Sequence, residues 1–338
     1  MRWSQLMSCC SPGSSHGSNS SEATAVRSST WRQNATAAAS AGIVQVSVPL
    51  AAGEFDMGDN FGEGYPADGE TPVHRVALSA FLVDPTAVTN VEFAAFVDAT
   101  GYVTDAERYG SSAVFHLALG PSDTAICGPV GHTPWWLEVR GACWHRPEGP
   151  RSDIEGRGGH PVVHVSHQDS LAYCAWAGKR LLTEAEWEYA ARGGYEGRRY
   201  PWGDELAPAG VHQCNIWHGR FPVHNTLEDG YLTTAPAKSF HRNDYGLWSM
   251  VGNVWEWCAD WFSPHYYRRS PQQDPKGAPF GMARVMRGGS YLCHDSYCHR
   301  YRVAARSSNT PNSSSSNLGF RCAADDSSLS PGGHAASQ

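Results

Sequence analysis

The chain has 338 residues, of which 41% are hydrophobic and 17% charged, and a formal net charge of −7. That composition supplies a sizeable core but argues against a nucleic-acid partner, because no basic stripe offsets the acidity, and no run approaches the roughly 18 apolar residues of a membrane span. Ten cysteines are too few for a small disulfide scaffold, while 35 glycines, 21 prolines and 13 tryptophans point to a loop-rich body pinned by aromatics.

Residues 1–41 are rich in Ser, Ala, Asn and Thr without apolar periodicity and read as a disordered tail. Arg2, Arg27 and Arg32 against the single acid Glu22 give it a mild transit-peptide character, and the apolar core of a secretory signal is missing. Residues 42–325 contain no linker-type break and read as one domain, followed by a second polar tail over 326–338. "VQVSVPL" (Val44–Leu50) and "HRVALSAFLVD" (His74–Asp84) alternate as strands do. Three capping boxes then announce helices: Thr89 with Glu92, Ser166 with Asp169, and Thr183 with Glu186. Their predicted stops are Gly101, Gly178 and Gly193. Beyond Gly194 the chain reads as short strands and irregular loops. There is no internal repeat, no P-loop and no HExxH, and "GGSYL" at Gly288–Leu292 lacks the final glycine of a nucleophile elbow.

Chemistry is concentrated in "YLCHDSYCHRYR", Tyr291–Arg302, where Cys293 and Cys298 stand five positions apart. A disulfide or two packed thiols is one reading. A zinc site using His294 or His299 is another, although no CxxC or HxxxH knuckle accompanies it. The third is a reactive pair suited to a soft ion such as Cu(I), with Arg287, Arg300 and Arg302 nearby in sequence to favour thiolate. The two histidines read as bystanders. The residues by themselves leave the three readings open.

The wider block "RVMRGGSYLCHDSYCHRYRVAARSSNTPNSSSSNLGFRCAAD", Arg284–Asp325, resembles the C-terminal signature of the formylglycine-generating enzymes. "PADGETPVHRVAL", "TGYVTDAERYGSSAVF", "PWWLEVRGACWHRPEGP", "HPVVHVS", "WAGKRLLTEAEWEYAARGG", "NIWHGRFPVHNTLEDGY" and "GLWSMVGNVWEW" follow that family in order, so the resemblance covers roughly residues 43–325. It implies an α+β fold: a single domain of low regular secondary structure, related to C-type lectin-like domains. It implies an oxidase that uses molecular oxygen to convert the cysteine of a Cys-x-Pro-x-Arg motif in unfolded sulfatases to Cα-formylglycine. By the same resemblance Cys293 and Cys298 hold Cu(I), with the substrate thiolate joining as a third sulfur. Ser290 matches a serine assisting near the oxygen site, and otherwise reads as a turn residue after Gly288–Gly289. Trp135, Asn317 and, more weakly, Ser112 match positions lining the peptide groove.

The resemblance also implies two structural Ca2+ sites. The first comprises Asn215, the Ile216 carbonyl, Asp229 and the Tyr231 carbonyl. The second comprises Ser249, the Gly252 and Val254 carbonyls, and Glu256, with Ser249 standing where the family usually has Asn. Asp229 and Glu256 otherwise read as turn caps. Of two disulfides in animal members, one falls here on Ala191 and Val303 and the other on Cys174 and Cys322, whose proximity is expected. Cys127, Cys143, Cys214 and Cys258 read as packed or incidental. The missing disulfide and missing signal favour a cytoplasmic protein, with an organellar or secretory location as the alternative should the N-terminal tail be a targeting segment. The family implies a monomer acting without nucleic acid or membrane. Two competing readings are a non-catalytic peptide-binding paralogue, which would lack the cysteine pair, and an ergothioneine-type sulfoxide synthase, which would need a helical bundle ahead of the domain.

Overall fold

The computed structural model describes Pro12 and residues 44–120, 125–131 and 133–326. Apart from Pro12 and Asp326, the two tails read from the sequence lie outside the described residues. Among the described residues, four α-helices follow the capping chemistry. Helix α1 (Asn90–Thr100) starts where the Thr89 amide and hydroxyl donate to the Glu92 carboxylate at 2.7 and 2.6 Å. Helices α3 (His167–Ala177) and α4 (Glu184–Arg192) start on the Ser166–Asp169 and Thr183–Glu186 boxes, and all three end on the expected glycines. Helix α2 (Asp105–Tyr109) carries a fourth box, Thr104 with Glu107. Its five residues are too few to show an apolar period, which is why pattern reading passes over it.

Among the described residues, fifteen short strands make five small sheets. In chain order they are β1 (Val48–Leu50), β2 (Gly53–Met57), β3 (His74–Leu78), β4 (Phe81–Val83), β5 (Ser111–Phe115), β6 (Ile126–Val130), β7 (Thr133–Arg140) and β8 (Arg180–Leu181). They continue as β9 (Gly219–Arg220), β10 (His224–Asn225), β11 (Trp255–Trp261), β12 (Arg284–Arg287), β13 (Arg306–Asn309), β14 (Leu318–Phe320) and β15 (Cys322–Asp325). The sheets are ordered β1-β4-β15-β8, β2-β3, β5-β7-β6, β9-β10 and β13-β12-β11-β14, and the β11–β14 pair is parallel. This is the α+β body expected.

Two details depart from the alternation read in the sequence. Only the last three residues of Val44–Leu50 pair as a strand, because the Gln45 side chain turns inward, accepting from the Thr86 amide at 3.2 Å and donating to the Ala87 carbonyl at 3.3 Å. His74–Asp84 breaks into β3 and β4 because the Asp274 carboxylate takes the Ser79 amide and hydroxyl at 2.7 and 2.8 Å.

The main core joins α1 and α3 through Phe93, Phe96, Tyr173 and Trp176, and continues to Trp187, Trp255, Trp257 and Phe320. Ion pairs are buried beside it. Glu184 and Glu188 of α4 hold Arg287 at 2.8 and 2.7 Å, Glu184 holds Arg306 at 2.6 Å, and Glu70 holds Arg302 at 2.8 Å. Arg287 and Arg306, on either side of the cysteine segment, are thereby tied to α4, and Arg302 to the loop that precedes β3.

Two histidines are buried as neutral rings. His164 Nε2 donates to the Pro147 carbonyl at 2.8 Å, so Nδ1 accepts from the Ser112 hydroxyl, also at 2.8 Å. Burial pushes its pKa down to about 4. His167 Nε2 donates to the Cys258 carbonyl at 3.1 Å; burial, then the charge of Arg284, push it down to about 3. Because the folded value lies below the unfolded one, the unfolded chain binds the proton better. The associated stability is intact above about pH 6.5 and is lost as pH falls toward the folded value. Asp169 and Asp260, pushed up by burial to about 7 and about 8, act in the opposite direction. The expected result is therefore differential: the stability gap between wild type and His167→Gln narrows by about 2–4 kcal/mol between pH 7 and pH 4. Paired urea titrations at the two pH values check it; a constant gap rules out a buried neutral ring.

Candidate active site

The cysteine segment leaves β12 through Gly288 and Gly289, whose φ angles are 94° and 73°. A Cβ on Gly289 would lie 2.8 Å from the Arg300 carbonyl oxygen and 3.2 Å from Cys293 Sγ, so only glycine lets the segment close on itself. Two turns then fold it back. The Cys293 amide donates to the Ser290 carbonyl at 2.9 Å, and the Cys298 amide to the His294 carbonyl at 2.6 Å. They bring the two sulfurs to 3.0 Å, with both residues buried. The Ser290 amide points at Cys293 Sγ from 3.4 Å, and Arg300 Nη1 lies 3.8 Å from Cys298 Sγ.

Of the three arginines expected near the sulfurs, Arg300 alone makes that contact. Asp68 anchors it at 2.5 and 3.1 Å, and its guanidinium lies over the Tyr65 ring. Arg287 and Arg302 are instead committed to Glu184, Glu188 and Glu70. The histidines stay peripheral: His294 bonds Ser296 at 2.8 Å, and the His299 amide donates to Tyr65 at 3.3 Å.

Ser290 is fully buried, and its hydroxyl accepts from Asn317 Nδ2 at 2.9 Å. Asn317 is itself fully buried, with its Oδ1 accepting from Ser315 at 2.8 Å and its carbonyl from the Trp255 amide at 2.9 Å. Its amide therefore faces Ser290 rather than an open groove. Trp135 stands edge-on to Tyr297 of the cysteine segment and to Phe221, at ring separations of 5.1 and 5.5 Å. Tyr297 and Phe221 stack at 4.2 Å. Neither Tyr297 nor Phe221 is singled out by sequence reasoning; Tyr297 lay inside the cysteine segment and Phe221 inside the block "NIWHGRFPVHNTLEDGY". Ser112 lies deeper, bonded to Ser314 at 2.7 Å and to His164.

A family model, the sulfatase-modifying factor enzyme 1-like domain, matches residues 33–326. The formylglycine-generating enzyme of Streptomyces coelicolor is 69% identical over 278 residues, which cover 82% of this chain and 88% of that protein. That of Thermomonospora curvata is 58% identical over 286 residues, covering 84% and 94%. The chain belongs to the formylglycine-generating enzyme family. Such an enzyme is an oxidoreductase acting on cysteine. Among solved structures, PvdO from Pseudomonas aeruginosa matches with a TM-score of 0.62 and 25% identity, covering 84% of this chain and 95% of that one.

In this family member the residues expected to bind calcium differ sharply between the two sets. In the first, the Asn215 side chain is fixed by donating to the Thr233 carbonyl at 2.8 Å and to Asn253 at 3.2 Å. Its Oδ1 is buried with no partner among the described residues. The Asp229 carboxylate is fully buried, accepting from the Ile216 and Tyr231 amides at 2.9 and 3.0 Å, with His218 3.4 Å away. An orphaned amide oxygen beside a buried carboxylate fits a hard cation. In the second set the Glu256 carboxylate is already paired with a guanidinium, Arg321 at 2.9 and 3.1 Å, where Asp229 meets backbone amides, and it also accepts from Trp187 Nε1 at 2.8 Å. The Ser249 hydroxyl turns to the Ala237 carbonyl at 3.5 Å. That set fits a cation poorly.

The Cys174 and Cys322 sulfurs lie 3.5 Å apart, unbridged and buried, so the expected proximity is observed. Ala191 and Val303 are buried in the same core. Cys214 and Cys258 are packed there, whereas Cys127 is exposed. No helix among the described residues is long and apolar enough to cross a membrane.

Proposed function

We propose that this chain converts the cysteine of a Cys-x-Pro-x-Arg motif in unfolded sulfatase polypeptides to Cα-formylglycine, with molecular oxygen as the oxidant and Cu(I) held by Cys293 and Cys298. The observation carrying this reading is the pair of buried sulfurs 3.0 Å apart. Two converging soft donors suit Cu(I), and a zinc knuckle is absent from the segment. Copper supplies the one-electron chemistry that lets triplet oxygen react with a closed-shell thiol.

The chain's own residues prepare the site. The cationic Arg300 beside Cys298 and the Ser290 amide beside Cys293 both favour thiolate. Asn317 holds the Ser290 hydroxyl in one orientation, which makes Asn317 a positioning residue. Trp135, Phe221 and Tyr297 form an aromatic wall against which an extended peptide packs. Ser112, on β5 of the sheet whose strand β7 carries Trp135, bonds Ser314 and His164.

Incubating the copper-loaded protein with a Cys-x-Pro-x-Arg peptide under air and following peptide mass tests the function. Loss of the thiol mass with gain of an aldehyde, dependent on both copper and oxygen, is the expected result. Peptide binding without conversion overturns it in favour of a binding paralogue, and conversion that ignores copper overturns the metal assignment.

Structural Ca2+ belongs, on this reading, to the Asn215–Asp229 set. Asp229→Ala is expected to abolish the rise in melting temperature that calcium produces. Glu256→Ala is expected to destabilise by about 3–5 kcal/mol with or without calcium, since it strands the buried Arg321. Thermal melts with calcium and with a chelator separate the two; an unchanged calcium response in Asp229→Ala removes that set from consideration.

A further inference from the structure

We propose that Glu107, Cys143 and His145 form a separate binding site for a divalent ion of the zinc class. Their donor atoms all lie within 4.8 Å of one another. Cys143 Sγ is 3.5 Å from His145 Nδ1, which is 3.9 Å from Glu107 Oε1. Tetrahedral zinc, with Zn–S near 2.3 Å and Zn–N near 2.0 Å, separates its sulfur and nitrogen ligands by about 3.5 Å. The Cys–His pair already stands at that spacing, and the carboxylate, within 4.8 Å of both, has to draw closer to complete the set.

The donors are held by the fold. Cys143 and Arg146 exchange backbone hydrogen bonds at 3.1 and 3.0 Å, closing the short loop that carries both Cys143 and His145. Trp144, between them, is buried, edge-on to Phe93 at 5.4 Å. Glu107 caps α2 with Oε2 alone, which accepts from the Thr104 amide and hydroxyl at 2.9 and 2.7 Å. Its Oε1 is turned toward His145. The Gly141 amide donates to the Gly110 carbonyl at 2.8 Å and joins the two segments.

A thiolate, an imidazole and a carboxylate are a borderline-soft set that suits zinc, and the two negative charges balance the ion. Burial lowers the His145 pKa, so its ring is neutral and able to ligate at neutral pH. Burial raises that of Cys143, so binding replaces the S–H bond with a metal–sulfur bond and releases one proton. With one sulfur instead of two, the site is a poorer match for Cu(I) than Cys293 and Cys298. His145 is partly exposed, which leaves a fourth position for water. A bound ion would clamp α2 to the loop after β7, at the end of the sheet that carries Ser112 and Trp135. This proposal stands independently of the copper assignment.

Titrating the full-length, calcium-replete protein with Co(II) tests it, because thiolate ligation gives a sulfur-to-cobalt charge-transfer band and tetrahedral geometry gives strong visible bands. One equivalent is expected to develop both, and Zn(II) to bleach them. Cys143→Ser is expected to remove the charge-transfer band, while the Cys293→Ser/Cys298→Ser double variant keeps it. His145→Ala, and Glu107→Gln, which preserves the cap, are expected to weaken binding by about tenfold or more. A band that survives Cys143→Ser, a band lost only in the double variant, or no band at all overturns the site.

Discussion

Cys293→Ser and Cys298→Ser are each expected to abolish conversion of the peptide cysteine while leaving the fold intact. The two sulfurs converge to 3.0 Å from opposite ends of one short segment. Neither alone offers the two-donor set that the proposed ion requires. Loss of even an outer partner of a metal ligand costs roughly 10–100-fold, so loss of a ligand itself should exceed about 100-fold. Serine is nearly isosteric with cysteine, and the turns that form the segment use backbone groups, so melting temperature should move little. Peptide turnover by mass, with circular dichroism on the same samples, measures both quantities. Full activity in either variant would sink the proposed metal pair.

The second large effect concerns the structure that carries the site. Glu184→Ala is expected to destabilise the protein by at least about 3–5 kcal/mol, the range for stranding a buried charge. Glu184 is 2% exposed and serves two guanidinium groups, accepting from Arg287 at 2.8 Å and from Arg306 at 2.7 and 2.6 Å. Arg287 would keep Glu188, but Arg306 would be left with the Gly69 and Ser263 carbonyls at 3.2 and 3.3 Å. The exposed pair of Arg75 with Glu54 is the internal comparison, and Glu54→Ala should cost less than about 1 kcal/mol. Urea unfolding of both variants decides the matter; equal small losses would show that the buried pair contributes little. Because Arg287 directly precedes the Gly288–Gly289 turn, activity is expected to fall with stability in Glu184→Ala.

What the sequence determined by itself was local. The three capping boxes and their terminal glycines each lie within a dozen or so residues, where short-range hydrogen bonding sets the answer, and all three helices formed with those caps and stops. The spacing of Cys293 and Cys298, with glycines ahead of them, likewise placed the sulfurs together. Tertiary structure decided whatever depends on distant partners. Arg300 and not Arg287 or Arg302 meets the sulfur pair, because Glu184, Glu188 and Glu70, 99 to 232 positions away, claim the other two. Asn317 faces Ser290 instead of a groove because Ser315 and β11 orient its amide. Glu256, a cation ligand by resemblance, meets Arg321 and Trp187, 65 and 69 positions away in the chain. Glu107 met Cys143 and His145 only when α2 packed beside the loop after β7. A buried charge or donor must find a partner wherever the packed chain supplies one, and that choice is made by the whole fold.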